Sequence, residues 1–339
     1  MAFGEGLNKA WCLEQLFVYS GYGFGRKSVE EMLDVYNINR KYFFIFEVNN
    51  RVVKIKSKPN FFSEEELCDS TDTAVLRAIN YKNLFQHVIN TCNVDINTVF
   101  GMEMPDEVFE SVDVPVFGYQ KQAHHKVLLM PDIDFLNYDF YRLPLVEDTF
   151  AYNEKDARGV FFGATTGAGM ITEEALNKKS VRRINSALFF KDHESVDFKL
   201  PDIVQVASDD VRRMIADMDL GGERREWPEQ LKYKFLISMD GNGATCSRVV
   251  ISLKSNSVLL KYDSPNMLYY FSGLIPWYNF IPIQNDKDIL RIIELERLYP
   301  GYFESVATNG RDFYNANLQR ERVFEYVALL IKGYSDLIH

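Results

Sequence analysis

The sequence predicts an α/β protein of two domains, each an open sheet with helices and with functional loops at strand ends. Three observations carry this. Short apolar runs of strand character alternate with segments of helical period along the chain. A strand, a glycine loop and a helix follow one another twice in the second half, at residues 159–190 and from residue 235 onward. A polar passage, residues 145–158, separates two stretches that are each long enough in this 339-residue chain for a core of their own. The expected division is 1–150, 151–315 and a terminal helical segment 316–339.

In chain order, residues 7–19 carry apolar side chains at helical spacing and stop at Gly21-Tyr-Gly-Phe-Gly25. Ser28-x-x-Glu31 reads as a capping box for a second helix. Runs 42–48 and 52–56 flank Asn49-Asn50, which predicts a hairpin. Residues 71–91 form one long helix with Ala74, Leu76, Ile79, Leu84, Phe85, Val88 and Ile89 on its apolar side. A strand at 98–102 ends in Glu103-Met-Pro-Asp106-Glu107, and strands at 114–119 and 127–130 close on His124-His125 and Pro131-Asp132. In the second half, strand 159–162 leads into Gly163-Ala-Thr-Thr-Gly-Ala-Gly169 and a helix over 172–190. Strands at 203–206, 235–239, 258–260 and 280–283 and a helix capped by Ser208 complete the alternation. A helical pattern then runs from 311 to 338, interrupted at Gly333.

Composition excludes several classes. A net charge of −10 without a Lys/Arg-rich block argues against nucleic acid or an anionic membrane surface as the main partner. The start shows no basic region followed by an apolar run, and no stretch of about eighteen apolar residues occurs, so no transmembrane segment and an intracellular chain are expected. Cys12, Cys68, Cys92 and Cys246 lack metal-ligand spacing and read as reduced thiols. The 26 Phe and 19 Tyr supply core area and, in part, faces on which a sugar can stack.

The densest signal is Lys234-Phe-Leu-Ile-Ser-Met-Asp240-Gly241-Asn-Gly243-Ala-Thr-Cys-Ser-Arg248. A buried strand, a tight Asp-Gly-Asn-Gly turn and a helix entered by Arg248 place backbone N–H groups and a positive helix end beside a strand terminus, an arrangement suited to phosphate. Ser257 to Lys261 follows as a strand ending in a cation.

Around this core, Tyr233-Lys-Phe-Leu-Ile-Ser-x-Asp-Gly-x-Gly, Arg248, Ser255-Asn-Ser-Val-Leu-Leu-Lys261, Leu274-Ile-Pro-Trp-Tyr-Asn-Phe-Ile-Pro282 and Asp286-Lys-Asp288 resemble the C-terminal half of glycosyltransferase family 90. That family includes bacterial lipopolysaccharide core transferases, fungal capsule xylosyltransferases and animal protein O-glucosyltransferases. The similarity is greatest to the bacterial type, and extends upstream through Gly163-Ala-Thr-Thr-Gly167, Val114-Pro-Val-Phe-Gly-Tyr-Gln-Lys121 and Pro131-Asp132.

The resemblance implies a GT-B architecture: two facing Rossmann-like domains, acceptor side first and donor side second, with the terminal helix returning to the first. It implies inverting, metal-independent transfer of glucose, xylose or galactose from a UDP-sugar, with no further cofactor, to a hydroxyl of a glycan (lipopolysaccharide core, capsule or protein-linked). A cytoplasmic enzyme of bacterial or viral type, compatible with a peripheral membrane location, is expected. The implied donor contacts are Thr165, Thr166, Gly167, Arg182, Arg183, Asp240, Gly241, Gly243, Arg248, Ser257 and Lys261. Phe162 departs from the pattern, since many relatives carry Arg there.

Inversion needs a carboxylate to take the acceptor proton. Relatives place an Asp after the strand at 98–102; here Glu103 and Asp106 stand near that column, with Asp132 as a third candidate. Two rivals remain open at this stage. Asp132-Ile-Asp134 imitates the metal-holding Asp-x-Asp of other glycosyltransferases, although Asp217-Met-Asp219 shows how common the pattern is. Phe162 and Met104 would also suit a sugar-nucleotide-binding protein without catalysis.

Overall fold

The computed structural model describes residues 3–58, 60–62, 66–67, 70–105, 114–167 and 169–338. The chain divides into two units: Met1–Phe140 with Asn266–Gly273 and Ala316–His339, and Tyr141–Pro265 with Leu274–Asn315. The expected boundary at 150 therefore falls inside the second unit, and the return of 266–273 to the first is an addition to the sequence-based division.

Among the described residues, the first unit contains helices α1 (Phe3–Phe17), α2 (Arg26–Asn39) and α3 (Thr73–Thr91). Its strands include β1 (Phe43–Asn49), β2 (Val52–Ile55), β3 (Thr98–Glu103), β4 (Val116–Gly118), β5 (Lys121–Gln122) and β6 (Val127–Leu129). The main sheet has the order β2-β1-β3-β4-β6. β3, β4 and β6 run parallel, while β1 pairs antiparallel with both β2 and β3. β1 is apolar over Phe43–Phe46 because both faces are covered. Phe46 packs on Phe85 of α3 at 5.2 Å between ring centroids, and Phe43 and Ile45 lie in the cluster with Val29 and Leu33 of α2. Phe43 is opposite Glu103, which fixes Glu103 on the α2 face at the carboxyl end of β3.

Four local expectations are corrected. The hairpin turns one residue later, at Asn50 and Arg51, both with left-handed φ (49° and 66°). Ser28 does not cap: α2 starts at Arg26 behind Gly25, so Ser28 lies inside its first turn. The expected 311–338 helix is two helices, Glu304–Asn317 and Arg320–Leu337. Gly333 does not interrupt the second of these; it gives α1 room, because a Cβ there would lie 2.3 Å from Leu16 Cδ1. The returning segment Asn266–Met267 pairs with β5.

The second unit has strands β7 (Asp156–Ala164), β8 (Val196–Asp202), β9 (Tyr233–Ser238), β10 (Val258–Tyr262) and β11 (Ile281–Ile283), all parallel, in the order β11-β10-β9-β7-β8. The edge strand precedes the expected 203–206 run, because Val196, Phe198 and Leu200 supply the alternating buried set. The helix expected over 172–190 breaks into Glu173–Asn177 (α4) and Arg182–Phe190 (α5), with Lys179 between them at φ 52°. Asp209–Asp217 (α6), Trp227–Gln230 (α7), Cys246–Lys254 (α8) and Asp286–Leu298 (α9) cover the sheet. Among the described residues no helix is long and apolar enough to cross a membrane.

A buried ion pair ties this sheet to α9. Lys234 Nζ lies 2.8 Å from Glu296 Oε1, with the two side chains 7% and 0% exposed, and the Glu296 carboxylate also accepts from the backbone N–H groups of Gly301 and Phe303. Removing the cation leaves a buried carboxylate without its charge partner. Lys234→Met should therefore lower unfolding free energy by about 3 kcal/mol in denaturant titration. Lys178→Ala, which breaks an exposed pair with Glu174, should stay within about 1 kcal/mol.

Candidate functional site

The strand order of the second unit fixes where a ligand fits. From β7 the chain builds β8 on one side, then crosses to β9, β10 and β11 on the other, so the direction of winding reverses between β7 and β9. Parallel sheets open a crevice outside the carboxyl ends of two such strands. The loops leaving β7 and β9 there are Thr165-Thr166-Gly167 and Asp240-Gly241-Asn242-Gly243.

The two loops are in contact, and glycine is required at both surfaces. A Cβ on Gly241 would lie 2.6 Å from Thr166 Oγ1 and 3.0 Å from Arg183 Nη2. Gly167 has φ +112°, and a Cβ on it would lie 3.2 Å from the Gly241 carbonyl. Gly243 closes the turn by accepting from Gly241 N at 3.1 Å. Thr165 ties the first loop to the segment after β8: its hydroxyl donates to Val204 O and accepts from Val204 N, both at 2.9 Å.

Arg183 joins the loops. Its Nε donates to Asp240 O (3.1 Å), Nη1 to Ala164 O (2.9 Å) and Thr166 Oγ1 (2.8 Å), and Nη2 to Met239 O (2.8 Å). Burial lowers its pKa to about 10, against the opposing pull of Asp240, so the guanidinium stays charged at neutral pH. The adjacent Arg182 is exposed, donates to Asp263 O and Gln284 O, and packs 4.6 Å from the Tyr262 ring centroid. Of the two arginines that the sequence could not separate, Arg183 builds the cradle and Arg182 braces the neighbouring strand ends.

Lys261 lies at the carboxyl end of β10. Burial lowers its pKa while Asp240 and Asp263 oppose the shift. Ser264 Oγ donates to Asp240 Oδ2, a contact that sequence reasoning missed; the turn-forming triplet Asp263-Ser264-Pro265 directly after a strand was its available signal.

Two expected donor contacts sit elsewhere. Arg248 is buried behind the loop, its Nη1 donating to Gln230 Oε1 and its Nη2 to Phe162 O, with the guanidinium 4.7 Å from the Phe161 ring centroid and 5.0 Å from that of Trp227. Its fork is directed into the sheet and α7. Ser257 is corrected: it precedes β10, at the amino ends of the strands, where its hydroxyl donates to Tyr233 O. Four residues of extended chain put it roughly 13 Å from Lys261.

In the first unit, Glu103 is 6% exposed, and Arg40 Nη1 lies 3.4 Å from its Oε1. Burial pushes its pKa up to about 7; Arg40 and Lys58 pull the other way. Lys58 is fully buried and donates to Asn37 O (2.8 Å), Asn37 Oδ1 (2.9 Å), Arg40 O (3.0 Å) and Phe43 O. Arg40 and Lys58 escaped the sequence reading because only tertiary packing brings them to the strand end. Asp106 lies outside the described residues. Asp132 is buried as the N-cap of the short helix Ile133–Asn137: its Oδ1 accepts from Asp134 N at 3.1 Å, and its Oδ2 has no hydrogen-bond partner among the described residues. Burial and the nearby Asp134 raise its pKa well above the usual carboxylate range.

A model described as glycosyl transferase family 90 matches residues 94–339. Protein O-glucosyltransferase 3 from Homo sapiens is 26% identical over 106 residues, which is 31% of this chain and 21% of that protein; its Mus musculus counterpart gives the same figures. The match thus spans well under two thirds of these relatives. Among solved structures, the C-terminal domain of a glycosyl transferase group 1 family protein from Francisella tularensis aligns with TM-score 0.29 and 11% identity, over 48% of this chain and 85% of that one. A GtfA/B complex aligns with TM-score 0.34 and 13% identity, over 56% of this chain and 38% of that one.

The geometry makes two predictions. Arg248→Met strands the Phe162 carbonyl and the Gln230 amide in the interior, so unfolding free energy should fall by about 2–4 kcal/mol; wild-type stability would contradict the inward placement. Burial raises the pKa of Glu103 in the folded state to about 7, above the ordinary carboxylate range. Its contribution to stability is fully present below the unfolded value and is lost as pH rises through the folded one. Glu103→Gln should therefore gain stability relative to wild type between pH 4 and pH 8, read from denaturant melts at both.

Proposed function

The chain belongs to glycosyl transferase family 90, and we propose that it transfers a sugar from a nucleotide sugar to a saccharide or protein hydroxyl. The observation that carries this is the pair of glycine loops clamped by Arg183 at the winding reversal of a parallel sheet. A UDP-sugar is the donor we favour. The glucosyl activity in the names of the human and mouse relatives makes glucose the first candidate, with xylose and galactose behind it. The acceptor is a glycan such as lipopolysaccharide core or capsule, or a protein-linked glycan.

In this proposal the donor's diphosphate lies against the backbone N–H groups of the two loops and the amino end of α8, with Lys261 as the nearby cation. Thr166, Gly167, Gly241 and Gly243 line the cradle, and Thr165 and Arg183 hold its shape. Glu103 takes the proton of the acceptor hydroxyl. The acceptor oxygen then bonds to the anomeric carbon, the bond to the diphosphate breaks, and the configuration inverts. A carboxylate whose pKa is raised to about 7 is matched to proton transfer near neutral pH. The leaving charge is taken up by fixed dipoles and Lys261 without a resident metal.

A hydrolysis and transfer screen of the purified protein against a panel of sugar nucleotides tests the reaction. Turnover should persist in EDTA, and Glu103→Gln should cut kcat by at least about a hundredfold while donor affinity stays within a few-fold. Activity lost to the chelator and restored by manganese would overturn the metal-free mechanism. Near-wild-type kcat in Glu103→Gln would remove Glu103 as the base.

A further inference from the structure

Helix α1 is inverted with respect to an ordinary surface helix, which turns its apolar stripe inward. Its buried side holds Asn8 and Gln15, 0% and 6% exposed, beside Trp11 and Cys12. Its outward side carries Gly6, Ala10, Leu13 and Phe17, which at about 100° per residue share one face. Leu13 is 57% and Phe17 75% exposed. The helix precedes residue 94, where the family match begins, so this face lies outside what the family model describes.

Directional bonds hold the helix this way round. Asn8 Nδ2 donates to Arg322 O at 2.9 Å and to Glu325 Oε2 at 3.1 Å, both on the helix Arg320–Leu337. The Gln15 amide donates to the Tyr326 hydroxyl and accepts from Leu129 N. Rolling α1 to bury Phe17 would strand both amides, so the contacts of the inner face fix the exposure of the outer one.

Two cations border the apolar face. Lys9 is exposed one turn before Leu13, and Glu14 stands to the other side of the stripe. Just past α1, Tyr22 is 53% exposed and stacks on Phe24 at 5.7 Å between ring centroids. Lys126 Nζ lies 3.0 Å from the Tyr22 hydroxyl and 5.0 Å from its ring centroid. Tyr19, in the turn between, donates to Lys126 O and ties this cation to the helix end.

Size and charge select the occupant. With aromatic side chains of roughly 150–250 Å² each, partly covered, Ala10, Leu13, Phe17 and Tyr22 expose on the order of 400 Å². A stable dimer takes about 800 Å² from each partner. A lipid interface needs no matching shape, and it accepts a helix whose apolar face is bordered by lysines. The net charge of −10 disfavours an anionic surface elsewhere on the chain, which leaves this local cationic rim to orient it.

We propose that the outward face of α1 docks the protein on a phospholipid bilayer. Leu13 and Phe17 enter the interface, while Lys9 and Lys126 keep their ammonium groups at the level of the headgroup phosphates. This goes beyond sugar transfer and does not depend on it.

Co-sedimentation of the full chain with vesicles of phosphatidylcholine, alone and mixed with phosphatidylglycerol, tests the docking. The wild type should pellet with both. Phe17→Ser and Leu13→Ser should each lower the partition coefficient by roughly tenfold, the scale of withdrawing one large apolar side chain. Both positions are exposed, so circular dichroism should stay that of the wild type. Lys9→Gln combined with Lys126→Gln should weaken binding to the mixed vesicles; unchanged binding there strikes the lysine rim from the proposal. Phe17→Trp adds a second readout, since its emission should shift to the blue when vesicles are added. Trp277→Ser, at a 60% exposed indole of the second unit, should bind like wild type.

The proposal is overturned if the wild type pellets with neither vesicle, if binding survives Phe17→Ser and Leu13→Ser together, or if the loss follows Trp277→Ser instead. A dimer in sedimentation equilibrium that Phe17→Ser dissociates also overturns it, and gives the face to a second copy of the chain.

Discussion

The guanidinium of Arg183 is the constraint on which the second unit's carboxyl edge depends. Loops that approach within van der Waals contact through glycine have little side-chain surface to hold them, and their backbone carbonyls need donors once water is excluded. Arg183 meets that need with hydrogen bonds to three carbonyls and a hydroxyl on both loops. A planar fork with fixed donor directions can serve all four acceptors; a lysine ammonium, with three donors on a flexible stem, cannot reproduce that geometry. Because these donors are spent on the protein, the charge of Arg183 is structural.

The alternation of strands and helices, the two glycine loops and the long α3 were legible in the sequence because each depends on local pattern. What the sequence could not supply was direction. Arg182 and Arg183 are adjacent on one helix, and only the position of that helix over the sheet decides which reaches the loops. Arg248 has the spacing of a phosphate-binding arginine after a glycine turn, but Phe161 and Trp227, distant in sequence, provide the slot that draws it inward. Ser257 and Lys261 sit on one short strand, yet strand polarity puts them at opposite edges of the sheet. Gly333 reads as a helix breaker and is a contact, since the crossing of α1 is invisible in a helix's own composition.

The same limit applies to the carboxylates of the first unit. Glu103 and Asp132 both follow apolar strands, and nothing in their neighbours distinguishes them. In the fold, Asp132 is committed to capping a short helix and is wholly enclosed. Glu103 is nearly as buried, but Arg40 and Lys58 supply opposing positive charge, which brings its proton affinity back to about neutrality instead of far above it. Burial alone makes a carboxyl that stays protonated; burial balanced by cations makes one that can exchange a proton near pH 7.

The charges at the carboxyl edge of the second unit follow a related logic. Arg183 and Arg248 turn their forks to the protein itself, Arg183 to three carbonyls and a hydroxyl and Arg248 to the Phe162 carbonyl and the Gln230 amide oxygen. Asp240 and Asp263 lie beside Lys261 and favour its charged form against burial. A site with only cations would bind any polyanion strongly and discriminate little, because point charges read charge and not shape. The Asp240 carboxylate, for its part, is held at this edge by the bond from Ser264.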